Sequence, residues 1–277
     1  MVSLEQAKVM GILNLTPDSF YDGGSLKNEG DVLRRAEQML EEGATFLDLG
    51  AYSSRPGAQN IATEEEWARM ESALKSTRKE FPDAILSIDT FRAEVADRAL
   101  DCGADMINDI SAGKLDPGML DLVSERRVPY CGMHMQGDPQ NMQTNPHYED
   151  VVQEVYKELS ELKFKLSQAN FSDLIIDPGF GFGKTVEHNY ALLNSLETFQ
   201  AMERPILVGF SRKSMIGKIL NISKLDSLNG TTILNTIALI KGASILRVHD
   251  VKEAVEAVSL FGAMQSSDTT EIDILRS

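Results

Sequence analysis

The sequence is poor in cysteine, and the spacing of its cysteines fits neither of their common structural uses. Its 277 residues include only Cys102 and Cys131, with no CxxC pair and no His/Cys group at zinc-ligand spacing. This excludes a disulfide-stapled scaffold and a small zinc module. We therefore expect two reduced thiols, which are typical of a cytoplasmic protein.

Basic residues and long apolar runs are also scarce. Lys and Arg number 27 against 42 Asp and Glu, so the net charge is −15 and the chain lacks the basic surface that a nucleic-acid partner requires. No run approaches the roughly 20 apolar residues of a membrane span, and residues 1–8 contain no apolar signal core. We expect a cytoplasmic protein that binds neither nucleic acid nor a membrane.

Short apolar runs alternate with longer amphipathic segments along the chain. Eight runs predict strands, at residues 9–13, 45–49, 85–88, 106–108, 129–133, 174–176, 206–208 and 244–248. Six longer segments predict helices, at residues 31–42, 64–80, 93–101, 150–168, 229–241 and 251–264. Nearly continuous apolar strands separated by helices indicate a parallel sheet covered by helices.

Eight such units fit a closed barrel better than an open sheet. A (β/α)8 TIM barrel typically needs about 250 residues, which this chain can supply. No Pro/Ser-rich linker or shift in composition divides the sequence. We therefore predict an α/β protein with one (β/α)8 barrel domain over residues 1–277, and with its active site at the C-terminal ends of the strands.

Polar side chains follow the predicted strands at the end where such a barrel carries its active site. The first strand ends in Asn14 and then breaks at Pro17 into a glycine-rich loop. One strand-end carboxylate is often a helix cap or part of a structural ion pair, but all eight strands end in polar groups. These groups predict a small-molecule site and are Asn14, Asp48, Asp89, Asn108, His134, Asp177, Ser211, Lys213, Arg247 and His249.

Four of these side chains suit a flat polar heterocycle better than a metal cluster. Asp89, Asn108, Asp177 and Lys213 form a mixed set of hydrogen-bond donors and acceptors. Carboxylates accept paired N–H donors well, such as those on the edge of an aminopyrimidine.

A second group of side chains suits an anion. Arg55, Arg247 and His249 would supply cationic donors to a phosphate or diphosphate. Asn14 could bind Mg²⁺ through its amide oxygen, with water and phosphate oxygens completing the coordination. Ser211 has no recognisable His–Asp partner pair in the sequence, which argues against a covalent serine mechanism.

The segment 178–185, PGFGFGKT, ends like a nucleotide-binding phosphate loop but departs from that motif. The motif requires Gly five positions before its Gly-Lys pair, where this sequence has Pro178. We interpret the segment as a strand-to-helix turn that brings Phe182 over a planar ligand. His188 is expected near a helix N-terminus and outside the site.

Taken together, these segments resemble the dihydropteroate synthase family. The matching stretches are GILNLTPDSF (11–20), SRPGA (54–58), SIDT (87–90), INDI (107–110), MHMQG (133–137), DPGFGFGKT (177–185), GFSRKS (209–214) and RVHD (247–250). The resemblance implies a (β/α)8 enzyme that joins 6-hydroxymethyl-7,8-dihydropterin diphosphate to p-aminobenzoate, making dihydropteroate and diphosphate. It also implies Mg²⁺ as cofactor and a homodimer formed through helices on the outer wall of the barrel.

The resemblance further implies a role for each matching residue. The pterin would be bound by Asp89, Asn108, Asp177 and Lys213, in a slot lined by Ile110, Met133, Phe182 and Gly209. The diphosphate would contact Asn14, Arg55, Arg247 and His249, with Asn14 as the metal ligand. The p-aminobenzoate pocket would be bordered by Phe20, Ser54, Arg55, Pro56 and Ser211. The catalytic groups would be Asp22, Arg55, Lys213, Arg247 and His249.

The implied reaction follows a dissociative, SN1-like path. Diphosphate leaves once its charge is neutralised, and the pterin methylene left behind is a delocalised cation. Asp22 would stabilise this cation or take the proton of the amine. Closure of the loops around Asp22 and Arg55 would exclude water.

Ser54 is the main departure from the family pattern, Leu15 in place of the common Val is a conservative one, and two other functions compete with the synthase. Ser54 stands where the family usually has Thr, which removes a methyl group worth roughly 0.8 kcal/mol if buried. A pterin-dependent methyltransferase would share the Asp/Asn pocket but needs no diphosphate site. A related protein could also bind the pterin without condensing it.

Overall fold

The computed structural model describes residues 2–16, 29–54 and 59–267. Its strands are β1 (Lys8–Asn14), β2 (Phe46–Gly50), β3 (Ile85–Asp89), β4 (Met106–Asp109), β5 (Tyr130–Met133), β6 (Leu174–Asp177), β7 (Leu207–Val208) and β8 (Ile245–Val248). Each of the eight strands predicted from the sequence is confirmed, with bounds that differ by at most one residue.

The strands form one parallel sheet that curls into a barrel. Seven parallel ladders give the order β6-β5-β4-β3-β2-β1-β8-β7. A parallel bridge between Ile176 and Ile206 joins β6 to the residue before β7. The Ile176 N–H also donates to the carbonyl of Pro205 at 3.0 Å. The fold is therefore the predicted (β/α)8 TIM barrel.

Helices cover the outside of the barrel. They are α1 (Glu29–Glu41), α2 (Thr63–Glu80), α3 (Ala93–Asp101), α4 (Gly118–Arg126), α5 (Val151–Gln168), α6 (Val186–Asn194), α7 (Ser214–Leu220), α8 (Leu228–Ile240) and α9 (Val251–Ser267), with a 3₁₀ helix at Leu196–Met202. The six predicted helices are all present. The sequence did not predict α4, α6 and α7, because these segments of seven to nine residues lack the clear apolar period of α3, which is as long as α4 and α6. No described helix is long and apolar enough to cross a membrane.

Side chains along each strand alternate between the helices and the barrel interior, as the pleat of a strand requires. The interior is closed at the N-terminal end of the strands by an apolar layer that consists of Met10, Phe46, Met106, Cys131, Ile175, Leu207 and Ile245. Two residues further along the same strands, the inward positions are Ile12, Asp48, Asn108, Met133, Asp177, Gly209 and Arg247. The change from an apolar layer to a mostly polar one sets the bottom of the candidate site.

Candidate active site

A pocket opens at the C-terminal ends of the strands, where the fold predicts the active site. It encloses about 490 Å³, including the space that opens to solvent. Its lining residues are Ile12, Ser54, Asp89, Asn108, Ile110, Met133, Asp177, Phe182, Gly209, Ser211, Lys213, Arg247 and His249. All of them except Ile12 are site residues predicted from the sequence, so residues far apart in the chain converge as expected.

One side of the pocket is built around Arg247, which bridges two carboxylates. Its Nε donates to Asp48 Oδ2 at 2.6 Å and one terminal nitrogen donates to Asp89 Oδ2 at 2.6 Å. Asn108 Nδ2 donates to the same Asp48 oxygen at 3.0 Å. Burial opposes the charge on Arg247, but the two carboxylates outweigh it and raise the pKa of the guanidinium. Burial raises the pKa of Asp89 to about 7, although Arg247 opposes this shift.

The opposite side of the pocket carries a carboxylate and an ammonium, those of Asp177 and Lys213. Asp177 Oδ1 accepts a hydrogen bond from the Gly179 N–H at 2.7 Å. Burial raises the pKa of Asp177, and Lys213 opposes the shift. Burial lowers the pKa of Lys213 to about 8, and Asp177 opposes that shift in turn. The second carboxylate oxygen of Asp177 and the nearby ammonium present an acceptor and a donor to a ligand.

Apolar groups bound the space between these two polar sides. Ile110 and Met133 are buried in one small cluster, and Phe182 packs against it. The Lys213 ammonium lies 4.8 Å from the centre of the Phe182 ring and donates to the Phe180 carbonyl. A Cβ atom at Gly209 would lie in van der Waals contact with Arg247 and Lys213, at 3.7 and 3.8 Å, so the missing side chain leaves room beside these two residues. These features describe a slot with apolar walls for a flat ring.

Ser211 and His249 form a third group, at the mouth of the pocket. Ser211 Oγ and His249 Nδ1 share a hydrogen bond of 2.8 Å, and the His249 N–H donates to the same Oγ at 3.1 Å. From α1, Arg35 donates to the carbonyl of His249 at 2.6 Å. The ends of β7 and β8 are thereby held together beside Arg247.

The conformation of Arg212 accounts for the placement of its neighbours Ser211 and Lys213 in the pocket lining. Arg212 adopts a left-handed conformation with φ of 54°. Its side chain makes a bidentate ion pair with Asp250, with N–O distances of 2.9 and 2.8 Å. This pair lies outside the pocket lining, whereas Ser211 and Lys213 on either side of Arg212 belong to it.

The remaining predicted site residues are not placed in the pocket. Asn14 is half-buried at the C-terminal end of β1 and is not among the lining residues. Phe20, Asp22, Arg55 and Pro56 lie outside the described residues.

Two strand-end residues differ from expectation. His134 does not belong to the pocket, and Asp48 is a partner of Arg247, a role that the sequence did not suggest. His134 follows the inward-facing Met133 and is buried behind the pocket, where its Nδ1 lies 2.9 Å from Lys184 Nζ. Counting His134 with the site groups was therefore wrong. Asp48 was not assigned a role from the sequence, yet it is fully buried and paired with Arg247. Its position two residues after the inward-facing Phe46 was the available signal.

The segment that resembles a phosphate loop is a strand-to-helix turn, as predicted. It leads into α6, whose N-cap Thr185 accepts from the His188 N–H at 3.2 Å. The His188 ring closes the capping box, which confirms that this residue lies at a helix N-terminus and outside the site. Lys184 is buried beneath the turn and donates to protein carbonyls. Its ammonium is thus directed away from any phosphate.

The barrel and its slot together define a class of enzyme that binds a flat, nitrogen-rich ring beside cationic groups. Comparisons with known proteins agree with this class. The model of a family described as "Pterin binding enzyme" matches residues 10–249. The dihydropteroate synthase of Escherichia coli K12 is 43% identical over 96% of this chain and 94% of its own.

Two solved structures are similar in both sequence and fold. The dihydropteroate synthase of Yersinia pestis, solved with a sulfonamide drug, has a TM-score of 0.91 and 42% identity over 96% of each chain. The Xanthomonas albilineans enzyme in complex with 7,8-dihydropteroate has a TM-score of 0.84 and 37% identity over 96% of each chain. This chain belongs to the pterin-binding enzyme family and, within it, to the dihydropteroate synthases, which are transferases of folate synthesis.

Proposed function

We propose that this chain condenses 6-hydroxymethyl-7,8-dihydropterin diphosphate with p-aminobenzoate to give 7,8-dihydropteroate and diphosphate. One observation carries the proposal: the hydrogen-bonding set for a flat ring lies directly beside the cationic end of β8. Asp89, Asn108, Asp177 and Lys213 line the same pocket as Arg247. A methyltransferase would need the first set but not the second.

The ring-binding set supports a pterin as the first substrate. Asp177 and Asn108 are at least nine-tenths buried, so water competes weakly for their hydrogen bonds. Carboxylate oxygens accept from the amino and ring N–H groups of the pterin, and Lys213 donates to its acceptors. Phe182 and Met133 line the slot that receives the ring. The hydrogen bonds and the apolar contacts together fix the orientation of the ring and the direction of its reactive methylene.

The cationic groups support diphosphate as the leaving group. Arg247 and His249 donate to its oxygens and stabilise the charge that develops as the C–O bond breaks. Mg²⁺, when bound, supplies further neutralisation of that charge. Asn14 would bind this ion through its amide oxygen, since residues 2–16, 29–54 and 59–267 contain no group of three His, Cys, Asp or Glu that could hold a metal. Water and diphosphate oxygens would complete such a site.

The reaction then proceeds by departure of diphosphate before the amine attacks. The remaining methylene cation is delocalised into the pterin ring, and the neutral aromatic amine of p-aminobenzoate captures it. We assign Asp22 to the stabilisation of this cation or to acceptance of the amine proton. We also assign Arg55 to the binding of the diphosphate, together with Arg247 and His249.

Diphosphate release by the purified protein tests this function. With Mg²⁺ and the pterin diphosphate, we expect slow release without p-aminobenzoate and fast release with it, coupled one-to-one to dihydropteroate. Pterin binding without release would contradict the synthase and favour the binding-only protein. Methyl transfer from a methylated folate to an acceptor, without diphosphate chemistry, would favour the methyltransferase.

Substitution of Ser54 tests the side of the pocket assigned to p-aminobenzoate. It is half-buried in the lining, next to residues outside the described part of the chain. We expect Ser54→Thr to lower the KM for p-aminobenzoate about fourfold, because one buried methyl group contributes about 0.8 kcal/mol. The KM for the pterin diphosphate should stay unchanged, and steady-state kinetics with each substrate varied in turn measure both. An equal change in both constants would contradict a role confined to p-aminobenzoate.

We also propose that the chain forms a homodimer through the outer wall around α7, α8 and α9. Exposed large apolar side chains concentrate there: Ile219, Leu220, Leu225, Ile233, Ile240, Leu260 and Met264. Elsewhere in the described residues, such side chains are limited to Leu115 and Phe164. A large apolar area of this kind marks an association surface, and a two-fold axis would bury it against its own copy.

Sedimentation velocity tests the dimer. We expect the wild-type protein to sediment at twice its 30.6 kDa chain mass. Leu260→Asp and Ile233→Asp should each shift it to the monomer, because a charge would be buried without a partner. Phe164→Asp on α5 is the matched control and should leave the dimer intact. A monomeric wild-type protein would contradict the proposal.

The cytoplasmic location is likewise a proposal. It is supported by the two cysteines, neither of which forms a disulfide: Cys131 is buried and Cys102 half-buried. Such thiols are typical of a reducing compartment.

A further inference from the structure

The turn between β6 and α6 brings together three groups of the ring-binding slot. It begins after Asp177, presents Phe182 to the pocket, and offers the Phe180 carbonyl to Lys213. Gly179, Gly181 and Gly183 all have positive φ angles, of 74°, 85° and 61°. Glycine backbones lose much conformational freedom on ordering, so this turn needs other contacts to hold one shape.

Lys184 supplies such contacts from behind the turn. The side chain lies outside the pocket lining, and the residue is 3% exposed. Its ammonium donates to the Gly179 carbonyl at 2.9 Å and to the Phe182 carbonyl at 3.0 Å. These carbonyls lie at the start and in the middle of the turn. One side chain thus ties the backbone next to Asp177 to the backbone that carries Phe182.

The third partner of Lys184 is His134, on the neighbouring strand end. Lys184 Nζ lies 2.9 Å from His134 Nδ1, and His134 Nε2 lies 3.2 Å from Glu158 of α5. Burial and the adjacent Lys184 lower the pKa of His134 to about 4, so its ring is neutral near pH 7. Burial lowers the pKa of Lys184 to about 7, and both the ammonium and the neutral amine carry N–H groups, so Nζ donates to His134 Nδ1. The Nε2–H of His134 donates to Glu158, which also pairs with Lys114.

The turn is also pressed against the same strand end. A Cβ atom at Gly179 would lie 1.8 Å from the carbonyl oxygen of His134. The turn can therefore be held in place through His134 as well as through Lys184. The network runs from the back of the ring-binding slot, through His134 and Glu158, to the outer surface of α5.

We propose that Lys184 is a positioning residue for the pterin, fixing the turn so that Asp177 and Phe182 face the ring at the correct spacing. The inference rests on the proposed function for the identity of the ring. It assigns no contact with the substrate to Lys184. The acceptors of Lys184 are the carbonyls of Gly179, Phe182 and His134 and the His134 imidazole rather than a carboxylate, which distinguishes this arrangement from an ordinary structural ion pair.

The test compares Lys184→Met with Lys114→Met. Methionine keeps the length and apolar character of the lysine stem but donates no hydrogen bond. A displacement of about 1 Å in a binding group costs up to about 100-fold. We therefore expect Lys184→Met to raise the KM and the calorimetric Kd for the pterin diphosphate by about 10- to 100-fold. The KM for p-aminobenzoate should change less than twofold, and Lys114→Met should bind the pterin like the wild type.

A second pair of variants keeps the test decisive if Lys184→Met does not fold. His134→Gln retains an acceptor for Lys184 and a donor for Glu158, whereas His134→Leu retains neither. We expect near wild-type pterin affinity for the glutamine variant and a clear loss for the leucine variant. Similar pterin affinity in the glutamine, leucine and wild-type proteins would overturn the proposal. So would an equal loss for both substrates in Lys184→Met.

Wild-type measurements separate this inference from the proposed function. If the wild-type protein releases diphosphate with p-aminobenzoate, the kinetic and calorimetric results apply together. If it binds the pterin diphosphate but does not turn over, the function fails and calorimetry alone still tests Lys184. Pterin affinity unchanged in Lys184→Met would then overturn the positioning role by itself.

Discussion

We expect Asp177→Asn to reduce the affinity for the pterin diphosphate by more than about 100-fold while leaving the fold intact. In the structure, Asp177 Oδ1 accepts from the Gly179 N–H, and an asparagine carbonyl would keep that bond. The NH₂ group would then replace the second carboxylate oxygen and turn a donor toward the donors of the pterin. Two lost charge-assisted hydrogen bonds at about 1.5 kcal/mol each, some 3 kcal/mol in total, account for this factor.

Isothermal titration calorimetry measures this loss, and thermal unfolding checks the fold. Asp177 is a desolvated carboxylate with a raised pKa, so replacing it with a neutral amide should not lower the melting temperature much. Asp173→Asn is the matched control, since Asp173 is exposed just before the same strand. Normal affinity in Asp177→Asn would show that the ring-binding side of the pocket has been assigned to the wrong residues.

Arg247→Ala is expected to have two separable effects, on folding and on diphosphate release. Removal of the guanidinium leaves the fully buried Asp48 without its cationic partner. Asp48 Oδ1 has no hydrogen-bond partner in the described part of the chain, so little else compensates the charge. Breaking a buried ion pair in this way costs about 3–5 kcal/mol of unfolding free energy. Loss of a diphosphate donor should in addition slow release.

The double variant Arg247→Ala/Asp48→Asn separates these effects. Neutralising Asp48 should restore most of the unfolding free energy, because no buried charge is then left unpaired. The release of diphosphate should stay slow, because the cationic donor is still missing. Chemical denaturation and a diphosphate assay measure the two quantities on the same proteins. A double variant with wild-type release would contradict the role of Arg247 at the leaving group.

The sequence predicted the barrel well because the relevant signals are local. Strands such as Phe46–Gly50 and Leu174–Asp177 are short apolar runs bounded by turns, and their type follows from the residues themselves. Short helices such as Ser214–Leu220 escaped prediction because seven residues complete barely two turns. The clustering of Asp89, Asn108 and Asp177 followed from the fold, since all parallel strands end at the same edge.

Strand order, side-chain alternation and chain direction follow from the amino-acid sequence, and they specify which residues reach the C-terminal end of the barrel. How those side chains pair depends on the three-dimensional packing. Arg247 meets Asp48 and Asp89 across 199 and 158 residues of chain. Lys184 turns inward to His134 instead of outward to a phosphate. Such choices depend on the burial and charge of groups on neighbouring strands, and a linear pattern carries neither quantity.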